Sequence, residues 1–146
     1  MMEPPSLSPS GSARRDKELR VLLVEDDEWL GPVLERQLVS FSASVELVQD
    51  PVSFLVGMSS TADRYDLAVV DMGLPGLSGD HLVSWMRTSV DPWIEALPIL
   101  VVTGTPELAR RSLGQTDNKV FLLAKPYSLA ELRAAVDTLV PKQRLH

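Results

Sequence analysis

Residues 20–26 read RVLLVED, a short apolar run that ends in two carboxylates. Three later stretches have the same form and also end in a polar residue: DLAVVD at 66–71, PILVVT at 98–103 and FLLAK at 121–125. Continuous apolar runs of this length are typical of strands covered on both faces of a parallel sheet. With a weaker run at 44–48, the sequence predicts five βα units, an α/β fold with right-handed crossovers and helices on both faces.

The predicted helices are marked by apolar spacing and by capping signals. Helical spacing predicts the first helix on Leu30, Val33, Leu34 and Leu38. The pairs Asp50-Pro51 and Thr105-Pro106 each combine a capping residue with proline at the first helical position. Ser128 and Glu131 fit a capping box at the start of the last helix. Asp91-Pro92 is predicted to end the third helix, because proline disfavours helical backbone in the residue before it.

Composition excludes several classes of function. The chain has 146 residues, of which 45% are apolar, and this suits one domain with a packed core. A net charge of -6 argues against direct nucleic-acid binding. The chain contains no cysteine, so it has no disulfide or thiol chemistry, and no apolar run is long enough to cross a bilayer.

The domain boundaries follow from the composition of the two ends. Residues 1–18 are rich in proline and serine and are predicted to form a flexible tail without a signal peptide. Residues 19–141 form the predicted domain, and 142–146 a short C-terminal tail. We expect no DNA-binding output domain in this chain, and we expect a cytoplasmic protein that signals by contact with other proteins.

Polar residues stand at the carboxyl ends of four of the predicted strands: Glu25, Asp26, Asp71, Thr103 and Lys125. In a parallel sheet these ends meet at one edge, so the side chains are expected to line one cleft. Asp71 is the candidate nucleophile, since a carboxylate can attack phosphorus and form an acyl phosphate. Lys125 can pair with a phosphoryl oxygen, and Thr103 can donate a hydrogen bond to another.

The carboxylates of this cleft also predict a cation site. Mg²⁺ prefers one or two carboxylates together with waters and phosphate oxygens, and Mn²⁺ is an alternative. Asp26 and Asp71 are the predicted direct ligands, and Glu25 is expected to act through a water. A backbone carbonyl near Gly73 would complete the set.

Four motifs carry a resemblance to a known family: VLLVEDD (21–27), LAVVDMGLPGLSG (67–79), PILVVTG (98–104) and LLAKP (122–126). In this order and spacing, over residues 20–140, the chain resembles the single-domain receivers of bacterial two-component response regulators. The resemblance implies a flavodoxin-like fold with strand order 2-1-3-4-5. It also implies that a sensor histidine kinase or phosphotransfer protein phosphorylates Asp71, and that the Lys125–Pro126 bond is cis.

The same resemblance implies where partners dock. The phosphodonor protein is expected against the first helix and the loop after the fifth strand. A downstream protein target, or a second copy of the chain, is expected on the face formed by the fourth helix, fifth strand and fifth helix. Leu108, Leu113 and Ala135 are the candidates for an apolar patch there.

The sequence departs from the family pattern at an aromatic position that moves with the Thr on activation and at two positions that tune loss of the phosphate. The position three before Lys125 is commonly aromatic in receivers, but here it is Leu122, and Phe121 stands one residue earlier. Strand alternation should direct these two side chains to opposite faces. Gly73 and Thr105 occupy the two positions that tune loss of the phosphate, and neither can orient an attacking water, so we expect slow self-dephosphorylation.

Other functions remain open from the sequence. A pseudo-receiver that binds partners without phosphorylation is the main alternative, and the missing aromatic favours it. A haloacid-type phosphatase would need a second Asp at Gly73, and a flavin carrier would need a phosphate-binding loop where the chain has DDEWLGP (26–32). Intrinsic activity is therefore expected to be limited to self-phosphorylation from small donors and self-dephosphorylation.

Overall fold

The structure of the protein, a computed structural model, describes residues 18–60, 64–71, 79–114 and 116–141. The two predicted tails, apart from Glu18 at the end of the first, lie outside these ranges. Gly73, the predicted carbonyl ligand, also lies outside them.

A five-stranded parallel sheet forms the centre of the molecule, in the order β2-β1-β3-β4-β5. This is the predicted order of a flavodoxin-like fold. Val21 of β1, for example, is paired with both Val45 of β2 and Leu67 of β3. The strands are β1 Leu19–Val24, β2 Ala43–Val48, β3 Leu67–Asp71, β4 Ile99–Thr103 and β5 Val120–Ala124.

Six helices are present among the described residues: α1 Leu30–Val39, α2 Pro51–Ser59, α3 Gly79–Arg87, α4 Pro92–Glu95, α5 Pro106–Leu113 and α6 Leu129–Leu139. They divide the core into two layers. Residues of α1 and α6 pack on one face of the sheet, and those of α2, α3 and α4 pack on the other. Leu113 of α5 packs with the second layer. Burial of the three central strands on both faces explains their continuous apolar sequences.

Two of the three predicted caps form. The Asp50 carboxylate accepts a hydrogen bond from the Ser53 N–H at 2.7 Å, with Pro51 at the first helical position. At α6 the capping box is complete, since Ser128 Oγ accepts from Glu131 N at 3.0 Å and Glu131 Oε1 accepts from Ser128 N at 2.7 Å. Thr105 precedes α5 as predicted, but its side chain makes no capping bond.

The sequence reading was wrong about Asp91-Pro92, which begins a helix. Helix α3 ends at Arg87, and α4 starts at Pro92. The Asp91 carboxylate accepts a hydrogen bond from the Trp93 N–H at 2.9 Å, which caps this single turn. Asp91-Pro92 has the same pattern as Asp50-Pro51, a capping Asp followed by proline at the first helical position, and this pattern favours the start of a helix.

The first helix forms over Leu30–Val39 as predicted, and Leu34 and Leu38 pack on the sheet together with Gly31. Leu30 and Val33, which belong to the same apolar pattern, are exposed. The prediction of an exposed apolar patch was wrong for Ala135, because this residue lies on the buried side of α6.

Candidate functional site

Three carboxylates meet at the carboxyl edge of the sheet. Glu25 follows the last residue of β1, and Asp71 is the last residue of β3. Strand alternation directs both toward the layer of α1 and α6, since Leu23 and Val69, two residues earlier, pack there. One oxygen from each of Glu25, Asp26 and Asp71 lies within 4.8 Å of the others. Glu25 and Asp71 are buried, and Asp26 is exposed to solvent.

Lys125 brings a positive charge to this cluster. Its Nζ lies 3.3 Å from Asp71 Oδ2, and its side chain is 31% exposed. Its backbone N–H donates to the carbonyl of Thr103 at 2.7 Å, which extends the pairing of β5 with β4 by one residue. The Lys125–Pro126 peptide bond is cis.

Thr103 ends β4 at the same edge but belongs to the other face of the sheet. Val101, two residues earlier, packs in the layer of α2, α3 and α4, so alternation directs Thr103 toward α5. Its hydroxyl accepts a hydrogen bond from the Thr105 N–H at 2.9 Å. The Thr105 hydroxyl lies 3.4 Å away. The loop before α5 is therefore tied directly to the Thr103 side chain.

The environment of Glu25 raises the pKa of its carboxyl from 4.5 to about 8. Burial is the largest cause, because it disfavours the charged form. A hydrogen bond with Asp71 and the negative charge of Asp71 act in the same direction. Hydrogen bonding from the Asp27 N–H and the charge of Lys125 oppose the shift. A proton on Glu25 thus relieves the repulsion among the carboxylates.

Asp27, next to the cluster, belongs to the start of α1. Its Oδ1 accepts hydrogen bonds from the backbone N–H groups of Trp29 at 2.7 Å and Leu30 at 2.9 Å. These bonds lower the pKa of the Asp27 carboxyl. These bonds satisfy two of the first backbone N–H groups of α1 and fix the loop that carries Asp26.

The donor set fits a small hard cation. Three carboxylates offer oxygen atoms at one point, with Asp26 open to solvent so that a bound ion could keep several waters. Burial is the main cause of the raised pKa of Glu25, and the negative charge of Asp71 adds to it; a divalent cation would neutralise that charge.

Comparison with known proteins identifies the family. Residues 21–137 match the model of the response regulator receiver domain. The chain belongs to this receiver family. The chain is also 36% identical over 121 residues to the response regulator RppA of Synechocystis, covering 83% of this chain and 50% of that protein. Response regulator MprA of Mycobacterium ulcerans is 33% identical over 127 residues, covering 87% of this chain and 52% of that protein. The chain thus spans about half the length of the curated relatives it matches.

A solved receiver domain has the same arrangement of strands and helices. It comes from the sensor histidine kinase PA1611 of Pseudomonas aeruginosa, is 29% identical, and superposes with a TM-score of 0.71. The match covers 82% of this chain and 95% of that one. That structure has a magnesium ion coordinated in its active site cleft. Among the described residues of the present receiver, no helix is both long and apolar enough to cross a membrane.

The aromatic residues of this receiver near Lys125 do not stand where the family places its aromatic switch. Leu122 packs in the layer of α2, α3 and α4, on the Thr103 side, and Phe121 packs with α1 and α6. They lie on opposite faces, as alternation predicts. Tyr127 also lies on the α1 side, where its hydroxyl bonds with Gln37 Oε1 at 3.0 Å. Tyr127, the aromatic residue in the described part of the loop after β5, is thus hydrogen-bonded to α1.

Sequence reasoning missed two residues beside the cleft. Gln37 binds Tyr127 across 90 positions of sequence, and no local pattern announces such a contact. Gly31 is buried in the first turn of α1, close to Glu25. A glycine inside a helical pattern was an available signal, since it costs helix stability and calls for a packing reason.

Proposed function

We propose that this receiver accepts a phosphoryl group on Asp71 from a partner histidine kinase or phosphotransfer protein and signals by protein contact. The observation that carries the proposal is the convergence of Asp71 with two further carboxylates and with Lys125, 3.3 Å away. Burial of Asp71 limits its contact with water, while the exposed Asp26 marks the open side of the cleft.

The transfer itself needs positioning and charge neutralisation more than covalent help from other groups. An Asp71 carboxylate oxygen attacks the phosphorus of a phosphohistidine, an acyl phosphate forms, and the P–N bond breaks with return of a proton to the imidazole. Lys125 is the cation that would pair with a phosphoryl oxygen, since it already pairs with Asp71. The Thr103 hydroxyl would exchange its bond with the Thr105 N–H for one to the phosphoryl group.

Magnesium is the proposed cofactor, with manganese as a substitute. Asp26 and Asp71 are the proposed direct ligands, and Glu25, which is buried behind them, is proposed to act through a water. Gly73 remains the proposed carbonyl ligand, outside the described residues. Bound magnesium supplies charge neutralisation for the incoming phosphoryl oxygens. Residues 19–141 are the proposed receiver unit, and an ATP-dependent kinase partner would place this reaction in the cytoplasm.

The proposed docking site for the phosphodonor protein lies beside the cleft, along α1. A cavity of about 220 Å³ opens there between Leu30 and Val33 of α1 and Pro126 and Tyr127 of the loop after β5, with Glu25 in its wall. Trp29, at the start of α1, is 79% exposed. Exposed apolar residues around a cavity lined by Glu25 and Lys125 of the cleft fit a protein partner that delivers the phosphoryl group.

The face formed by α5, β5 and α6 is proposed to contact the downstream target after phosphorylation. The Thr103 hydroxyl holds the loop before α5, so a bond exchange at Thr103 would move that helix first. Leu108 of α5 is exposed, as is Leu129 at the start of α6, whereas Leu113 is half-buried and Ala135 is buried. A downstream target or a second copy of the chain would contact Leu108.

A phosphorylation-independent pseudo-receiver is the second candidate. The observation that favours it is Leu122, which cannot follow Thr103 as an aromatic side chain would, while Tyr127 is held by Gln37 on another helix. In that case the cleft would not accept a phosphoryl group, and partners would bind a surface whose shape does not depend on phosphorylation.

Intact mass after incubation with a small phosphodonor and magnesium separates the two candidates. We expect one added phosphoryl group on the wild-type chain, and none on Asp71→Asn or in a chelated sample. Asp27→Asn is the matched control, because this neighbouring exposed carboxylate caps α1 and lies outside the cluster. If the small donor and a histidine-phosphorylated phosphotransfer protein both leave the wild type unmodified, Asp71 is not an acceptor and the pseudo-receiver stands.

Slow loss of the phosphate is the second property we propose. Thr105 offers a hydroxyl at the position that tunes hydrolysis, and this hydroxyl lies 3.4 Å from that of Thr103. Neither Thr105 nor Gly73 has a carboxylate or carboxamide to orient water. A phosphoryl group that disappeared within seconds in the mass measurement would contradict this, and Thr105→Asn should shorten its lifetime.

A further inference from the structure

Gly31 is the second residue of α1, and it is buried where this helix passes over the sheet. A Cβ at this position would lie 3.2 and 3.3 Å from the two terminal methyl carbons of Leu47 on β2. It would lie 3.5 Å from Cγ of Glu25. The first two distances are shorter than ordinary carbon–carbon contacts, and the third is an ordinary contact.

This close approach encloses the side chain of Glu25. One side of its aliphatic stem lies next to the α1 backbone at Gly31. Its carboxylate accepts a hydrogen bond from the Asp27 N–H at 3.2 Å and shares another with Asp71. The position of Glu25 therefore depends on how near α1 lies to β1 and β2. A glycine weakens the first turn of a helix, so its presence here fits a packing requirement rather than helix propensity.

We propose that Gly31 is a positioning residue of the acidic cleft: by letting α1 lie against Leu47 and the stem of Glu25, it sets where the Glu25 carboxylate stands relative to Asp71. The inference rests on the proposed cation site and adds a residue that touches neither cation nor phosphoryl group. Any side chain at 31 must displace Leu47 or lift α1, and both change the wall that holds Glu25.

Helix α2 offers a matched control. Gly57 also lies inside a helix, and a Cβ there would meet the methyl carbons of Leu22 at 3.4 and 3.5 Å, which is ordinary contact. Alanine favours helix over glycine at Gly57, whereas Gly31 precedes Pro32, and a Cβ before proline disfavours helical backbone. Gly31→Ala and Gly57→Ala should therefore differ in their effect on the cleft, and a further change at Leu47 tests whether the difference comes from packing.

The test measures magnesium affinity of the unphosphorylated protein by calorimetry. We expect Gly31→Ala to bind magnesium about 10-fold more weakly than wild type, as is usual when the support of a metal ligand is disturbed. Gly57→Ala should bind as wild type does. Adding Leu47→Val to Gly31→Ala should restore most of the affinity, because valine lacks the two Cδ methyl groups that the new methyl group presses on. Equal affinities for Gly31→Ala and Gly57→Ala, to within about twofold, would overturn the proposal.

A second readout needs no metal. The Asp27 carbonyl accepts from the Gly31 N–H at 3.0 Å, so the Asp27 amide would respond to any change at residue 31. The side-chain carboxyl carbon of Glu25, which shares a hydrogen bond with Asp71, reports where that carboxylate lies in magnesium-free protein. We expect its resonance to shift in Gly31→Ala, to stay in place in Gly57→Ala and to return with Leu47→Val. An unmoved Glu25 carboxyl resonance in Gly31→Ala refutes the positioning role even if the wild type binds no magnesium. Absence of magnesium binding by wild type, with this resonance shifted, counts against the cation site alone.

Discussion

The Glu25 carboxyl links the proton and the cation of the cleft. With its pKa raised to about 8, it retains a proton at neutral pH in magnesium-free protein. A cation that requires the charged form must displace this proton, so magnesium should bind more tightly as pH rises toward about 8 and gain little beyond it. Calorimetry between pH 6 and pH 9 would measure this, in wild type and in Glu25→Gln. The variant should lose this slope, and an equally steep slope in both proteins would assign the proton to another group.

The same proton gives an opposite dependence of stability on pH. In the unfolded chain Glu25 titrates near 4.5, whereas in the magnesium-free folded protein it titrates near 8. Between these values the folded state binds more protons, so its contribution to stability is present below about 4.5 and is lost as pH rises through about 8. Denaturant unfolding of wild type and Glu25→Gln without magnesium should show the loss in wild type only. Saturating magnesium should remove the difference in slope.

Under the proposed function, the Lys125 charge is expected to act against cation binding while favouring phosphorylation. Its ammonium offsets the charge of Asp71 at 3.3 Å but is partly exposed, so the interaction is screened. We expect Lys125→Met to bind magnesium more tightly, by up to about 10-fold or roughly 1.4 kcal/mol, because the cluster becomes more negative. Phosphoryl incorporation into Asp71 should fall in the same variant. Weaker magnesium binding by Lys125→Met would show that the ammonium supports the cation site structurally.

Helices α5 and α6 begin at similar capping residues, so the contributions of the two caps to stability can be compared directly. Ser128 forms both bonds of a capping box, whereas Thr105 makes no capping bond. Ser128→Ala should therefore cost about 1 kcal/mol of unfolding free energy, and Thr105→Ala should cost much less. Denaturant unfolding of both variants in magnesium-free buffer measures this. Equal losses would mean that the Thr105 hydroxyl stabilises α5 through Thr103 after all.

The elements were predictable because their signals are local. The apolar strands, the Asp50-Pro51 start and the capping box each depend on residues within a few positions of one another, and their outcomes match. The contacts of Arg87 depend on distant chain segments. It donates to the carbonyls of Glu95 and Leu97 and pairs with Asp117 at 2.8 Å, which ties the end of α3 to the loop before β5. No periodicity encodes such a contact.

In the cleft, too, features with a local sequence signal were predictable and features without one were not. The positions of Glu25, Asp71 and Lys125 at strand ends could be predicted, because parallel strands bring their carboxyl ends to one edge. The burial of Gly31 in α1 could not, because a glycine carries no apolar signal. A Cβ at this position would press on Leu47, whereas Leu30 and Val33 of the same helix are exposed beside the cleft.

Few large apolar side chains are exposed on the described residues of α5, β5 and α6. Leu108 and Leu129 are exposed, but Ala135 is buried and Leu113 packs inward, whereas a stable interface covers about 800 Å² on each partner. We expect unphosphorylated protein to sediment as a monomer at micromolar concentration. If phosphorylation moves α5 through Thr103, association should appear only with phosphodonor and magnesium. Leu108→Glu should abolish that association, and Val56→Glu, on the exposed side of α2, should leave it intact. A dimer that forms without phosphorylation and survives Leu108→Glu would place the contact on another face.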